Sequence, residues 1–276
     1  MKLSIITINY NNAEGLRKTL ASVASQTYAD IEHIIVDGGS TDGSVEVIRE
    51  YEQSLTSRLS PLASNLKWLS EPDSGIYNAM NKGIKMANGE YLLFLNSGDY
   101  LVDADTLKNV FADADDVDII YGDRINVWKD GLERNRDSFP DHITGYFLYR
   151  GMISHQASFI KSDLFVKYGL YREDLKYGAD WEFFLRTFLL YNCTYQHIYQ
   201  NVVYFDCLGI SSVAENNKEM WDERKRVFAE TLPAFAEDYM LMEHYQEMLR
   251  GYDKRANQLG KIIVKPIRRF LKLLKK

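Results

Sequence analysis

The chain has 276 residues, 46% of them apolar and 26% charged, which excludes a long disordered protein and allows a sizeable core. Two cysteines cannot form a disulfide framework, and no stretch approaches the roughly 20 apolar residues of a membrane span. Because the start carries no secretory signal, we expect a cytoplasmic protein with reduced thiols. The net charge of −6 combines an acidic body with a basic end, so no nucleic-acid partner is expected.

Strands and helices alternate in the structure predicted for the first hundred residues. The strands are runs of β-branched and other apolar residues at 3–8 (LSIITI), 33–37 (HIIVD), 65–72 (NLKWLSEP) and 90–96 (EYLLFLN). Helices are predicted at 16–26, 44–52 and 76–87, with Ser40 or Thr41 as the cap of the second. This alternation is typical of a parallel sheet covered by helices, so the expected fold class is α/β and Rossmann-like.

The pattern becomes less regular after residue 115. Two strands around a turn are expected at 117–123 and 125–131, then a loop from residue 140, a strand and helix at 153–165, a helix at 179–191 and paired strands at 194–206. Residues 217–258 are predicted to be helical with an interruption near Pro233. Their aromatic side chains are candidates for packing within the chain or in a homo-oligomer.

The last residues of the chain are strongly basic. Lys254–Lys276 holds nine Lys or Arg and no acid, which leaves 24 basic and 39 acidic groups in the other 253 residues. In KIIVKPIRRFLKLLKK the apolar positions 267, 270, 271 and 274 recur at helical spacing. Such a segment is typical of helices that lie on anionic membranes, so a peripheral position on the inner face of a membrane is expected. A solvated tail, or a helix packed on a partner subunit, is the alternative.

Polar side chains follow each of the first four predicted strands. They are Asn9 and Tyr10 after the first, Asp37 at the end of the second, Glu71 and Asp73 after the third, and Asp99 after the fourth. In an open α/β sheet, ligands bind at the carboxyl ends of the strands, so these groups are expected to line one crevice. The turn NYNNAEG has neither the G-x-G-x-x-G nor the P-loop pattern, which excludes those two kinds of phosphate site.

An acidic crevice can hold a phosphorylated ligand when a cation lies between them. Mg²⁺ or Mn²⁺ is typically held by one or two carboxylates, with substrate phosphates and waters as the other ligands. Asp99, on a short turn with a glycine, suits that role. The alternative is that Asp99 is a turn acid or the cap of the next helix.

Four segments resemble the family-2 glycosyltransferases of GT-A fold. They are SIITINYNNAEGLRKTLASVASQT (4–27), EHIIVDGGSTDGS (32–44), SEPDSGIYNAMNKGIKMANGEYLLFLNSGDYL (70–101) and ADWEFFLR (179–186), in the family's order. The likeness extends over roughly 1–205 and is to bacterial enzymes that build surface polysaccharides or glycoprotein glycans. It implies a GT-A fold, which is a mixed, mostly parallel sheet flanked by helices, here with a C-terminal helical extension.

The resemblance also implies a division of the chain and a reaction. A glycosyltransferase domain is expected at 1–215, with a nucleotide-binding half at 1–100 and an acceptor-binding half at 101–215. C-terminal helices at 216–258 and a basic tail at 259–276 would follow. The implied reaction is an inverting transfer of a hexose from a UDP-sugar to a hydroxyl of a glycan, lipid-linked or glycoprotein acceptor.

Nine residues resemble the family's nucleotide site: Ile8, Asn9, Tyr10, Asp37, Asp73, Asn81, Lys82, Asn96 and Ser97. Tyr10 would stack near the uracil, and Asp37 would accept a hydrogen bond from its N3–H, which suits a group that only accepts. Lys82 would meet a phosphate. The alternatives are a turn aromatic packed on the core for Tyr10, a helix cap for Asp37 and a solvated lysine for Lys82.

The family's D-x-D metal motif is present here as NSGD, which keeps only the last acid, Asp99. The resemblance implies that Asp99 holds Mn²⁺ or Mg²⁺ against the diphosphate of the donor. With the first acid absent, Asn96 or Ser97 would contact the ribose or the sugar instead.

The segment ADWEFFLR resembles the site of the family's general base. The family has Glu-Asp before an aromatic residue, and here Ala179 replaces the Glu while Asp180 remains. Asp180 would take the proton of the acceptor hydroxyl, a role that typically contributes about 10²–10⁴-fold in rate. An acid at a helix N-terminus is the alternative. His155 and Gln156 resemble a loop that borders the acceptor or donor sugar, with Trp181 as a platform for the acceptor.

Two other functions fit parts of the pattern. A nucleotidyltransferase shares the strand–helix layout and the use of metal, but it needs a glycine-rich basic loop after the first strand, which 9–15 lacks. A non-catalytic binding or assembly subunit of the same fold would explain the two absent acids. Turnover of a sugar donor would exclude the non-catalytic subunit.

Overall fold

A nine-stranded mixed sheet organises the part of the chain that the computed structural model describes, which is residues 2–128, 133–207, 217–246, 248–252 and 258. The strands are β1 (Leu3–Asn9), β2 (Ile31–Asp37), β3 (Leu66–Ser70), β4 (Tyr91–Phe94), β5 (Tyr100–Leu101), β6 (Ile119–Val127), β7 (Glu133–Asp137), β8 (Ser158–Lys161) and β9 (Tyr195–Asp206). Their order is β3-β2-β1-β4-β8-β6-β9-β5, with β7 beside β6. The parallel sheet predicted for the first half is confirmed in β1 to β4, while β8 runs antiparallel to β4 and β6.

Helices alternate with these strands along the chain and follow them. They are α1 (Ala13–Ala24), α2 (Ser44–Ser57), α3 (Ile76–Met86), α4 (Thr106–Asp113), α5 (Gly145–Arg150), α6 (Ser162–Tyr168), α7 (Ala179–Leu189) and α8 (Asn217–Thr231), and residues 233–246 are also helical. One compact unit spans Met1–Lys225, and a second begins at Arg226. No helix among the described residues is long and apolar enough to cross a membrane. The basic tail at 259–276 lies outside the described residues, so its membrane role stays a prediction.

The side chains of β1 point alternately to the two faces of the sheet. Ile5 is fully buried in a core cluster with Leu16 of α1 and Ile48 of α2. Ile6 points the other way, to α3, where a Cβ built on Gly83 would lie 2.4 Å from Ile6 Cγ2. Burying each such side chain contributes about 1.5–3 kcal/mol. Because helices pack on both faces, the carboxyl ends of the parallel strands are held in fixed positions.

The helices predicted at 16–26, 44–52, 76–87 and 179–191 are present, but the predicted cap of α2 is wrong. Asp42, rather than Ser40 or Thr41, bonds to the first turn, with its Oδ1 accepting from the N (3.1 Å) and Oγ (2.6 Å) of Ser44. The short Asp42 side chain suits this local bond. Within the loop expected from residue 140, α5 was also missed.

One strand, β6, replaces the two strands predicted around a turn at 117–131. Gly122 lies where the pairing of β6 with β9 changes register. A Cβ on Gly122 would lie 2.7 Å from the carbonyl oxygen of Gln200, so glycine here permits close approach of β9. The paired strands predicted at 194–206 are likewise one strand, β9, which accommodates the same register change.

Gly89 provides a test of how tightly β4 begins beside β1. A Cβ built on Gly89 would lie 2.5 Å from Ser4 N and 2.8 Å from Leu3 C, which are backbone atoms of the central strand. We expect Gly89→Ala to lower the free energy of unfolding in urea by about 1–3 kcal/mol, the usual cost of overpacking. The matched control is Gly151→Ala, where the nearest atom is Phe147 O at 3.8 Å, and it should change stability by less than about 0.5 kcal/mol. Equal effects of the two substitutions would contradict this packing.

Candidate active site

Asp37 ties together the carboxyl ends of the first three strands. Its Oδ1 accepts hydrogen bonds from Asn9 Nδ2 (2.7 Å) and Ser40 Oγ (2.6 Å), and its Oδ2 accepts from Ser70 Oγ (2.6 Å) and Ser40 N (3.0 Å). Burial acts to raise the pKa of Asp37, but the bonds from the two serines and Asn9 outweigh it and lower the pKa. Four bonds fill the acceptor capacity of a carboxylate, which is about four lone-pair sites, so a base N–H would have to displace one of them. Contact of Asp37 with a uracil therefore stays a prediction.

Tyr10, Gly38 and Asp73 meet beside this cluster, at a place that we call the slot. Tyr10 is 68% exposed, so it is not the core aromatic that the alternative held. A Cβ built on Gly38 would lie 2.5 Å from Asp73 Oδ2 and 3.2 Å from Tyr10 Cδ2. Because glycine lacks that atom, an aromatic ring and a carboxylate oxygen can both approach the backbone here. An aromatic face can stack on a flat ring, and a carboxylate can accept a hydrogen bond from an N–H on the edge of that ring.

Asn81 and Lys82 hold the loops that border the crevice. Asn81 Nδ2 donates at 2.9 Å to a backbone and a side-chain oxygen of the loop at 171–173. Lys82 Nζ lies 2.8 Å from the Glu71 carboxylate and donates to the Pro72 carbonyl at 3.1 Å. These bonds fix the loop that carries Asp73, and a phosphate at Lys82 would compete with them.

The turn after β4 is held rigidly by backbone and hydroxyl groups. Gly98 has a φ of 108°, in the left-handed region that favours glycine. Its N–H donates to Thr19 Oγ1 (3.0 Å), and that hydroxyl donates to Asp99 O (2.7 Å). Ser97 N donates to Ile8 O (3.0 Å), which attaches the turn to the end of β1. Ile8 and Ser97 therefore support the turn through their backbones, and the turn directs Asp99.

The Asp99 carboxylate is buried, with 3% of the residue exposed. Burial raises its pKa to about 7, against the opposing effects of a hydrogen bond from Asp206 N (2.9 Å) and of the nearby His155 and Gln156. An ionised carboxylate is costly in such a place unless positive charge is close. The site is therefore one where a cation would be stabilising.

Asp206, at the end of β9, supplies a second acid at this tip. A Cβ built on Gly98 would lie 2.8 Å from Asp206 Oδ2, so the carboxylate lies against the turn that carries Asp99. Asn96 Oδ1 in the same turn is buried and has no hydrogen-bond partner among the described residues. Carboxylate and amide oxygens are the ligands that Mg²⁺ and Ca²⁺ prefer. Sequence reasoning missed Asp206, although it is also an acid at the end of a strand.

This donor set fits a cation that shares its shell with a ligand. No group of three or more His, Cys, Asp or Glu with metal-site geometry occurs within the described part of the chain. Two carboxylates are nevertheless enough for Mg²⁺, which usually takes its other ligands from substrate phosphates and water. The tip of β4 thus fits the metal predicted from the sequence, with Asp99 and Asp206 as the acids that would hold it.

Asp180, at the start of α7, is paired with His155. Its Oδ2 lies 2.7 Å from His155 Nδ1, and its Oδ1 accepts from Tyr77 OH and from Trp181 N, both at 2.9 Å. Burial acts to raise the pKa of Asp180, but His155, then Tyr77 and the Trp181 N–H, outweigh it and lower the pKa. The other imidazole nitrogen, His155 Nε2, lies 3.5 Å from Asn96 Nδ2. The pair thus reaches the tip of β4.

Gln156 and Trp181 have different positions relative to this site. Gln156 is buried and bonds to Asp99, and its contact with a sugar stays a prediction. Trp181 is 1% exposed and its Nε1 donates to Leu148 O, so the prediction that its ring forms a platform for an acceptor is wrong. The sequence did not reveal this because α7 is buried on all sides from Ala179 to Phe188 and carries no amphipathic pattern.

Solved structures share this fold. TarS of S. aureus, in complex with UDP-GlcNAc, matches with a TM-score of 0.64 at 22% identity, over 83% of this chain and 66% of that one. The mannosyltransferase PcManGT from Pyrobaculum calidifontis, in complex with GDP-Man and Mn²⁺, matches with a TM-score of 0.61 at 17% identity, over 87% of this chain and 68% of that one. The GT-A fold implied by the sequence is confirmed.

Sequence comparison gives the family. Residues 4–176 match the family described as Glycosyl transferase family 2. An uncharacterized glycosyltransferase of Mycobacterium tuberculosis (strain H37Rv) is 34% identical over 230 residues, which is 81% of this chain and 82% of that protein. A PGL/p-HBAD biosynthesis glycosyltransferase of Mycobacterium bovis (strain BCG) is 35% identical over 193 residues, 67% of this chain and 69% of that protein. The chain belongs to glycosyl transferase family 2 and is a glycosyltransferase, as the four segments of its sequence predicted.

Proposed function

We propose that this glycosyltransferase transfers a hexose, with inversion, from a UDP-sugar to a hydroxyl of a glycan, lipid-linked or glycoprotein acceptor. The observation that carries the proposal is that two carboxylates suited to a metal ion and an Asp–His pair suited to a base meet at the tip of one strand, β4. Asp99 and Asp206 lie together there, and the Asp180–His155 pair reaches the same tip through Asn96. An inverting transfer needs charge stabilisation on the leaving side and a base on the acceptor side.

The donor side is supported by the slot and by the acids. Tyr10 would stack on the nucleobase, and Asp73 Oδ2 would accept a hydrogen bond from an N–H on its edge. Asp99 and Asp206 would hold Mn²⁺ or Mg²⁺, which when bound would neutralise charge on the departing diphosphate. TarS, which shares the fold, has been solved with UDP and with UDP-GlcNAc, and PcManGT with GDP-Man and Mn²⁺.

The acceptor side is supported by the buried base. The acceptor hydroxyl would approach from the side of His155 and Asp180, lose its proton to this pair, and attack the anomeric carbon opposite the diphosphate. Both residues are largely buried, at 9% and 8% exposure. One relative is named for PGL/p-HBAD biosynthesis, which supports an acceptor that is a glycolipid or its precursor.

The proposal is tested by release of nucleotide from a panel of donors. UDP-glucose, UDP-galactose, UDP-GlcNAc and GDP-mannose are incubated with the protein and Mn²⁺, with water as the acceptor, and the freed sugar is examined by NMR at once. We expect UDP release from at least one UDP-sugar and a sugar that appears first as the β-anomer from an α-linked donor. Release from GDP-mannose alone, or an α-anomer as the first product, would contradict the proposal.

Removing the second acid should weaken the binding of metal. We expect Asp206→Asn to weaken Mn²⁺ binding in the presence of UDP by about 10–100-fold, the range typical for residues around a metal, because the ion loses a charged ligand. Free Mn²⁺ is counted by its electron paramagnetic resonance signal. Asp163→Asn is the matched control, since that carboxylate is 74% exposed and lies 4.0 Å from Lys167 Nζ. Unchanged Mn²⁺ affinity in Asp206→Asn would remove Asp206 from the metal site.

Removing the slot aromatic should weaken nucleotide binding without affecting the fold. Stacking of a base on an aromatic side chain is worth about 1–3 kcal/mol, so Tyr10→Ala should raise the dissociation constant of UDP by about 5–150-fold in calorimetry with Mn²⁺. Its melting temperature should stay unchanged, because Tyr10 is mostly exposed. Tyr252→Ala removes another ring, 65% exposed, and serves as the control. The same UDP affinity in both variants would exclude stacking on Tyr10.

A further inference from the structure

The two members of the Asp180–His155 pair do not face the crevice equally. Asp180 Oδ1 already accepts two hydrogen bonds, from Tyr77 OH and Trp181 N at 2.9 Å each, and its Oδ2 is held by His155 Nδ1 at 2.7 Å. The far edge of the imidazole, Nε2, lies 3.5 Å from Asn96 Nδ2 on the turn after β4. The imidazole therefore stands between the carboxylate and the strand tip where the donor would lie.

Asp180 also fixes which imidazole nitrogen carries the proton. An ionised carboxylate only accepts hydrogen bonds, so the nitrogen that faces it, Nδ1, must be the one with the hydrogen. In the neutral ring the lone pair is then on Nε2. Asn96 Nδ2, a donor, faces that lone pair at a distance that is long for a hydrogen bond, so the lone pair on Nε2 is only loosely engaged.

The carboxylate itself is poorly suited to take a proton from a hydroxyl. Its pKa is lowered by the bonds and charge around it, and a weaker base gains less from proton transfer. Protonation would also weaken the bonds from Tyr77, Trp181 and His155. A carboxylate held in this way is better suited to orient an imidazole and to stabilise the imidazolium that forms.

We propose that His155 Nε2 is the atom that takes the acceptor proton, and that Asp180 is a positioning residue which acts through it. The inference rests on the proposed glycosyl transfer. As the acceptor oxygen forms its bond to the anomeric carbon, its proton passes to Nε2 and gives an imidazolium. The bond from the anomeric carbon to the diphosphate oxygen breaks, and its electron pair leaves with UDP. The imidazolium later returns the proton to solvent.

The charges around the ring favour this step. The imidazolium would lie against the Asp180 carboxylate, whose Oδ2 is 2.7 Å from His155 Nδ1. Arg224 faces Asp180 from α8, and its guanidinium lies over the Trp181 ring at 5.2 Å. The charge produced at His155 is thus compensated by Asp180 within the site.

Chemical rescue separates this assignment from a direct role of Asp180. His155→Gly should lower UDP release, from the UDP-sugar that the donor panel identifies, by about 10²–10⁴-fold at unchanged KM for the donor. Added imidazole should restore part of the rate in His155→Gly, because the vacated space can admit a free base. Asp180→Asn should lose rate without rescue by imidazole. The proposal would be overturned if His155→Gly released UDP at the wild-type rate, or if imidazole did not restore any of the lost rate.

The tautomer provides a test that does not depend on turnover. The wild-type chain has five histidines, and ¹⁵N spectra of their rings distinguish a hydrogen on Nδ1 from one on Nε2. The ring signals that disappear in His155→Gln belong to His155. We expect Nδ1–H in the neutral ring, and an Nε2–H tautomer would refute the proposal. A wild-type protein that turns over no donor would instead contradict the proposed function.

Discussion

A carboxylate buried at the end of an apolar strand is the constraint on which the site depends. The strand β4 is apolar because helices cover both faces of the sheet, and the turn that follows carries Asp99 into a place with 3% exposure. Burial there disfavours the ionised form and raises the pKa to about 7. The groups around it, an N–H from β9 and the polar side chains of the loop at 155–156, partly offset that cost. A metal ion bound with a diphosphate would offset it further.

The order of strands explains why the other groups meet at this point. β1, β2 and β4 are parallel neighbours, so their carboxyl ends lie at one edge, with the Asp37 cluster and the slot of Tyr10 and Asp73 on one side. β8 and β9 come from the second half of the chain and bring His155 and Asp206 to the other side. The crevice thus combines one side built from local βα units, where we propose that the donor binds, with a side built from distant segments, where we propose that the acceptor binds.

The sequence predicted the first side better than the second for a physical reason. Strands covered on both faces and short turns give local signals, so β1 to β4 and the acids at their ends could be read directly. The second half relies on pairing between residues far apart. The two strands expected around a turn at 117–131 are one strand, in which Gly122 permits close approach of β9, and Asp206 stands in no motif with Asp99. The pairing of His155 with Asp180 is equally invisible in sequence.

Trp181 shows a second limit of prediction from the sequence. A helix with one apolar face reveals which side is buried, but α7 is buried all round, so an aromatic beside the predicted base could be placed on either side. Family resemblance identified Asp180 as important but carried no information on its partners. The absent acids at 96 and 179 left a non-catalytic subunit open as an alternative, whereas the structure brings Asp206 and His155 into the same crevice.

The central claim is that the buried acid at the tip of β4 holds a metal ion that bridges to UDP. Thermal unfolding with UDP, in the presence and absence of Mn²⁺, tests it most directly in the wild-type chain and in Asp99→Asn. A ligand at about 100 times its dissociation constant stabilises a protein by about 2.7 kcal/mol. We predict a shift with UDP that requires Mn²⁺ and disappears in Asp99→Asn. A UDP shift of equal size without metal, or one that persists in Asp99→Asn, would contradict the account.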